Sequence, residues 1–165
     1  MNALEDQLER LKRQEALLQF PFFSNDDAWR LGTMLVEAAK ERKVTPAFEI
    51  TINGYVVFRY GFSGTNLHNE RWLRRKRNTV QTTHMSSLRA GVELQLKGED
   101  IERDWYLPAA EFACLGGGFP LILKGTGVVG CVCCSGLPHE TDHQIVADTI
   151  ARFLNVSIPD GRCAL

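Results

Sequence analysis

Apolar residues recur three and four positions apart at the start of the chain. Leu4, Leu8 and Leu11 stand among Glu, Asp, Arg and Lys, which predicts a short amphipathic helix within residues 1–19. Phe20-Pro21-Phe22-Phe23 breaks that pattern. Ser24 then reads as an N-cap, with Asp27 three residues on, ahead of a helix from about Asp26 to Arg42. Its expected buried side is Trp29, Leu31, Leu35, Val36 and Ala39. The period then shortens to two. Phe48–Ile52 and Tyr55–Tyr60 flank Asn53-Gly54, a dipeptide suited to a type I′ turn, so this segment is predicted as a β-hairpin.

A helical stretch is expected from about Asn69 to Leu96, with a kink or break in the β-branched run Thr79–Thr83. Phe119–Leu123 and Val128–Cys134, joined through Gly125-Thr126-Gly127, predict a second hairpin. A last amphipathic helix from about Thr141 to Leu154 would bury Val146, Ile150, Phe153 and Leu154. Helix, hairpin, helix, hairpin, helix favours an α+β fold with an antiparallel sheet over a parallel βαβ design. No linker divides the chain, so the expected organisation is an N-terminal helix over 1–19, one domain over 20–158 and a tail over 159–165.

Composition narrows the functional classes. A chain of 165 residues fits one domain, and burying roughly 70% of the unfolded surface gives such a domain a sizeable core. Lys+Arg and Asp+Glu number 19 and 20, so no global basic field points to nucleic acid. No window is long and apolar enough for a membrane span, and the polar Met1–Gln19 stretch has no signal-peptide core. Five cysteines, three of them within Cys131–Cys134, suit reduced thiols better than a disulfide framework. Cys163 stands third from the end, outside a prenylation signal. A cytoplasmic location is the expectation.

Candidate chemistry is sparse. His139-Glu140-Thr141-Asp142-His143 matches the H-E-x-x-H zinc-hydrolase pattern. Pro138 and Glu140-Thr141, however, resemble a helix entrance, which would leave His139 before the first turn and off the face of His143. On a strand, Cys131 and Cys133 face one side and Cys134 the other, so they cannot share a metal. No metal ligand set is assigned. Arg71–Arg77 holds five cations in seven residues. The bland reading is a solvated helix face, and the sharper one an anion or cofactor pocket in which Trp72 and Lys76 share a face. Gly116-Gly117-Gly118 precedes a strand, not a helix, so it lacks the dipole of a phosphate-binding loop.

Together these residues resemble a known family. Trp72 with Lys76, Ser86-Ser87, Phe119-Pro120-Leu121, Gly127–Gly130, Ser135–Pro138 and Asp142-His143 are similar to the haem-degrading-domain (HbpS/GlcG-like) proteins, in their uncharacterised cytoplasmic branch. The resemblance implies a profilin-like α+β fold with an antiparallel sheet of about five strands flanked by helices, assembled as a homo-oligomer. It also implies haem or a related tetrapyrrole as a cofactor to be tested. It assigns no axial ligand residue by residue, and His84 and His143, the candidates, are weighed against the favoured reading of each as a satisfied structural histidine.

The resulting expectation is a homo-oligomeric module for a small ligand: haem, a corrinoid or another anionic, tetrapyrrole-like molecule. Trp72, Lys76 and Arg77 would supply stacking and charge; Gly117, Gly118, Ser135 and Gly136 would line the cleft; His84, Ser86, Ser87 and His143 complete the candidate set. No catalytic residue is assigned. The alternative is a protein-interaction subunit that recruits a partner through Met1–Gln19, and a zinc hydrolase stands third.

Overall fold

A computed structural model describes residues 2–159, so Cys163 and most of the 159–165 tail lie outside the described residues. Five helices and four strands follow in order: α1 (Ala3–Leu17), α2 (Asn25–Glu41), β1 (Ala47–Ile52), β2 (Tyr55–Gly61), α3 (Leu67–Thr83), α4 (Ser87–Lys97), β3 (Gly118–Leu123), β4 (Gly127–Ser135) and α5 (His139–Leu154). The strands form one antiparallel sheet in the order β2-β1-β4-β3.

Strand alternation divides the core in two. Phe48, Ile50, Phe119, Leu121, Val132 and Cys134 face α2 and α5, where they meet Leu31, Leu35, Ile145 and Ile150. Ala47, Cys131 and Cys133 face the other way, against Leu73 and Val80 of α3. Each fully buried large side chain of this kind contributes about 1.5–3 kcal/mol. The opposed cysteine faces are as the alternation requires.

Local signals account for most elements. Ser24 and Asp27 form a reciprocal capping box at α2. Asn53 and Gly54 take φ of 50° and 79°, the left-handed pair that a type I′ turn needs. Four expectations are corrected. The sheet has four described strands, not about five: between α4 and β3, Arg103–Asp104 and Trp105–Glu99 bonds close a charged segment into turns. Among the described residues, only a bridge from Phe20 to Leu123 adds backbone pairing outside β3.

The break in the long helix falls at His84–Ser86 and not within Thr79–Thr83, because His84 adopts a left-handed φ of 58° and Ser86 caps α4. Trp29 is 66% exposed and lies edge-on to Phe58 instead of in the core. His139 is the first residue of α5, so it shares a helix face with His143 after all.

The apolar stripe of α1 is covered by this same domain. Leu11 packs on Leu88 and Val92 of α4. Glu15 accepts from Ser86 N at 2.8 Å and Arg89 Nη1 at 2.6 Å, and Gln14 Oε1 lies 2.8 Å from His143 Nε2. No described helix is long and apolar enough to cross a membrane.

Candidate functional site

Three segments converge at one end of the sheet: the first half of α3, the turn from β4 into α5, and the glycines before β3. Asn66 caps α3 and starts a row four residues apart, His68, Trp72 and Lys76. Trp72 Nε1 donates to His68 Nε2 at 3.0 Å, and the Arg75 guanidinium stacks 4.3 Å from the Trp72 ring centre. Lys76 is buried, with 3% of its side chain exposed, so the solvated-face reading fails at this residue.

Its ammonium donates to Asp142 Oδ2 at 2.9 Å and to the Cys134 carbonyl at 3.0 Å. Asp142, on the first turn of α5, also accepts from Cys134 Sγ at 3.2 Å and Leu137 N at 3.1 Å. The carboxylate therefore joins helix, strand and turn. Burial raises its pKa more strongly than the Lys76 ammonium pulls it down. Burial and the adjacent Asp142 also push the Cys134 thiol well above its ordinary value, which keeps it protonated.

Around this pair lies an open cleft of about 380 Å³, lined by His68, Trp72, Lys76, Ser135, Gly136 and His139, among others. That is within the size range of small-ligand sites, roughly 300–1,000 Å³. Gly117 lies beneath it at φ 131°, where a Cβ would come within 2.7 Å of Lys76 Nζ. Gly116 N donates to His139 Nδ1 at 3.1 Å and holds the ring at the cleft wall.

Of the residues singled out from sequence, Trp72, Lys76, Ser135 and Gly136 line this cleft, and Gly117 supports it. Gly118 N donates to Ser87 Oγ at 2.9 Å, which ties β3 to α4, while Ser86 caps α4. Arg77 points elsewhere, with Nη1 2.7 Å from the fully buried Glu49, which also binds Arg59. His84 is exposed at the opposite end of α3. His143 is buried against Gln14 and Phe119, and burial lowers its pKa to about 4.

Sequence reading missed His68, Asn69, Leu115 and Leu137 and left His139 and Asp142 out of the site. The four-residue spacing from His68 to Trp72 and Lys76 was an available signal. The approach of Asp142 to Lys76, across 66 positions, was not.

An antiparallel sheet with helices on both faces and an open cleft of mixed polar and apolar lining at one end defines a small α+β domain with a ligand-sized site. The family of haem-degrading proteins like HbpS matches residues 23–151, and the chain belongs to it. A UPF0303 protein of Serratia proteamaculans is 37% identical over 156 residues, 94% of this chain and 97% of the relative. Another, of Rhizobium meliloti, is 40% identical over 151 residues, 92% of each.

Among solved structures, the Ybr137w protein superposes with a TM-score of 0.83 at 28% identity, covering 90% of this chain and 87% of that one. HbpS gives a TM-score of 0.65 at 21% identity, over 82% of this chain and 92% of its own. A PduOC:heme complex gives 0.68 at 22% identity, over 82% and 97%. The last two likenesses speak for the fold alone.

Proposed function

We propose that this chain is a homo-oligomeric, cytoplasmic binding module for a small anion-bearing ligand, held in the cleft between α3 and the β4–α5 turn. The observation that carries the reading is Lys76. Its side chain is withdrawn from solvent yet belongs to the lining of an open cleft, beside half-buried Trp72. Asp142 and the Cys134 carbonyl compensate this buried cation with two of its three donors, which leaves one for a ligand. Stacking on an indole ring suits a planar ligand body.

A structural neighbour complexed with haem brings haem into consideration. The cleft does not fit it as an iron site. His68 and His139 each use one ring nitrogen as an acceptor, from Trp72 Nε1 and Gly116 N. The proton of a neutral ring then lies on the other nitrogen, which leaves no lone pair for a metal. His143 is walled in and His84 is remote. A tetrapyrrole would engage this cleft through its carboxylate arms. The same hydrogen bond at His139, with that of His143 to Gln14, speaks against the zinc-hydrolase reading.

Self-association is supported by β2, an outer strand that exposes Tyr55 by 72% and Tyr60 by 41%. Free thiols at Cys114, Cys131, Cys133 and Cys134 suit a reducing compartment. The recruiting-arm alternative loses support because α4 covers the stripe of α1.

Native mass spectrometry of gently purified full chain tests the proposal. The expected result is an oligomer carrying a stoichiometric ligand mass that is lost in Trp72→Ala while the fold persists. A clean apo-protein that also fails to take up added hemin or metal-free porphyrin would overturn it.

A further inference from the structure

We infer that the cleft recognises its ligand through an oxyanion, a carboxylate or a phosphate group, using hydrogen-bond donors contributed by three segments. The inference deepens the reading above and rests on it.

The first group of donors is fixed by the hydrogen bonds of the cleft. An indole nitrogen can only donate, so His68 Nε2 accepts from Trp72 and Nδ1 carries the ring proton. A backbone amide can only donate, so His139 Nδ1 accepts from Gly116 and Nε2 carries the proton. Each imidazole therefore carries an N–H on its other nitrogen, and both residues line the cleft. Lys76 has three ammonium hydrogens, of which Asp142 and the Cys134 carbonyl take two.

Ser135 supplies a further donor from a third segment. Alternation along β4 puts it on the α3 side with Cys133, it lines the cleft, and it is only 3% exposed. Its hydroxyl has no protein partner among the described residues and is not one of the sealed polar atoms, so it is open to water or a ligand in the cleft.

The start of α5 points the same way. Pro138 is its N-cap and supplies no side-chain acceptor, whereas Asn2, Ser24, Asn66 and Ser86 cap the other four helices. First-turn amides of α5 therefore lack a capping side chain at the rim where His139 stands, and a helix N-terminus favours an anion. The one carboxylate lining the cleft, Asp142, is already engaged through both oxygens by Lys76, Cys134 and Leu137. Its charge compensates Lys76 and leaves the other donors to the ligand.

The test uses the full chain with ¹⁵N-labelled histidine, titrated separately with inorganic phosphate, succinate and zinc chloride. The expected spectra place the ring proton on Nε2 of His139 and Nδ1 of His68. One of the two anions shifts both signals saturably and leaves His84 unmoved, and which anion does so separates a phosphate ligand from a carboxylate. Ser135→Ala should weaken that anion about fivefold, the loss of one ordinary hydrogen bond.

Zinc moving the His68 and His139 signals while both anions leave them unchanged would overturn the inference, as would the opposite tautomers. If the anions fail but native spectra still show a Trp72-dependent bound mass, the binding module stands and its oxyanion head falls. If neither anion shift nor bound mass is seen, both fall.

Discussion

Lys76 Nζ lies 2.9 Å from Asp142 Oδ2, and this contact joins the middle of α3 to the first turn of α5 with both side chains almost fully buried. The pair is both a structural clamp and the floor of the cleft. Removing one partner leaves the other charge without compensation in a poorly solvated position. Asp142→Asn is therefore expected to cost about 3–5 kcal/mol. Replacing both, as Lys76→Met with Asp142→Leu, should cost clearly less than the two single changes added together. Urea unfolding of the four proteins completes the cycle, and additive losses would show that the pair is not coupled.

His143 should make stability depend on pH. Its ring is pushed down to about 4 when folded against an ordinary 6.5, because burial penalises the cation and the neighbouring His139 adds to the penalty. The unfolded chain therefore binds this proton first on acidification. The stabilisation is present above pH 6.5 and is lost as pH falls towards 4, by up to about 3 kcal/mol. Asp142 runs in the opposite direction, since its raised pKa lets the folded state take up a proton before the unfolded one near its ordinary 3.8. Comparing wild type with His143→Leu by urea unfolding from pH 7 to pH 4.5 isolates the histidine. The wild type should weaken more steeply, and parallel curves would refute the assignment.

Much of the fold could be read from period and punctuation, because capping boxes and type I′ turns are decided within four residues. Ser24–Asp27 and Asn53-Gly54 are such cases. The helix break falls elsewhere because β-branched residues in Thr79–Thr83 weaken a helix only slightly, and the hydroxyls of Thr79 and Thr83 find acceptors four residues earlier without ending it. Half the cleft was visible as the Trp72–Lys76 spacing. The burial of Lys76 was not, because it depends on α5 carrying Asp142 across the end of the sheet. Arg77, one position further along α3, was drawn instead to Glu49 on β1.

That divergence between Lys76 and Arg77 can be measured. Glu49 is fully buried and binds both Arg77 and Arg59, so Arg77→Ala leaves it one guanidinium. The expected cost is about 1–2 kcal/mol, below the loss for an uncompensated buried charge. Ligand affinity should be unchanged, since Arg77 is no part of the cleft wall. Urea unfolding and a ligand titration of the same variant check both halves, and weakened binding without lost stability would return Arg77 to the site.

Gly117 is held at φ 131° beneath the Lys76 ammonium and close to the Cys134 carbonyl. Gly117→Ala meets backbone strain and a steric clash together, so a loss of at least about 2 kcal/mol is expected. Displacement of Lys76 should also lower ligand affinity. Thermal unfolding with a binding titration checks this, and a variant with unchanged melting temperature would show that the backbone can relax here.

Deletion of residues 1–19 decides whether α1 is a recruiting arm or part of the domain. In the structure, α1 covers Leu88 and Val92 through Leu11, and its Glu15 satisfies the buried Ser86 amide. Gln14 is the hydrogen-bond partner of His143 Nε2. Loss of the Leu11 contacts alone costs about 2–5 kcal/mol, on the scale of large-to-small core substitutions. An amide left unpaired adds about 1–3 kcal/mol. Together these approach the entire stability of an ordinary domain, about 5–15 kcal/mol. The truncated chain is therefore expected to unfold at a much lower urea concentration or to lose its cooperative transition. Circular dichroism against urea measures this directly, with Leu11→Ala as the milder variant expected to fall in between. If the truncated chain unfolds at the wild-type midpoint, α1 is dispensable to the fold and its role as a partner-binding arm regains its footing.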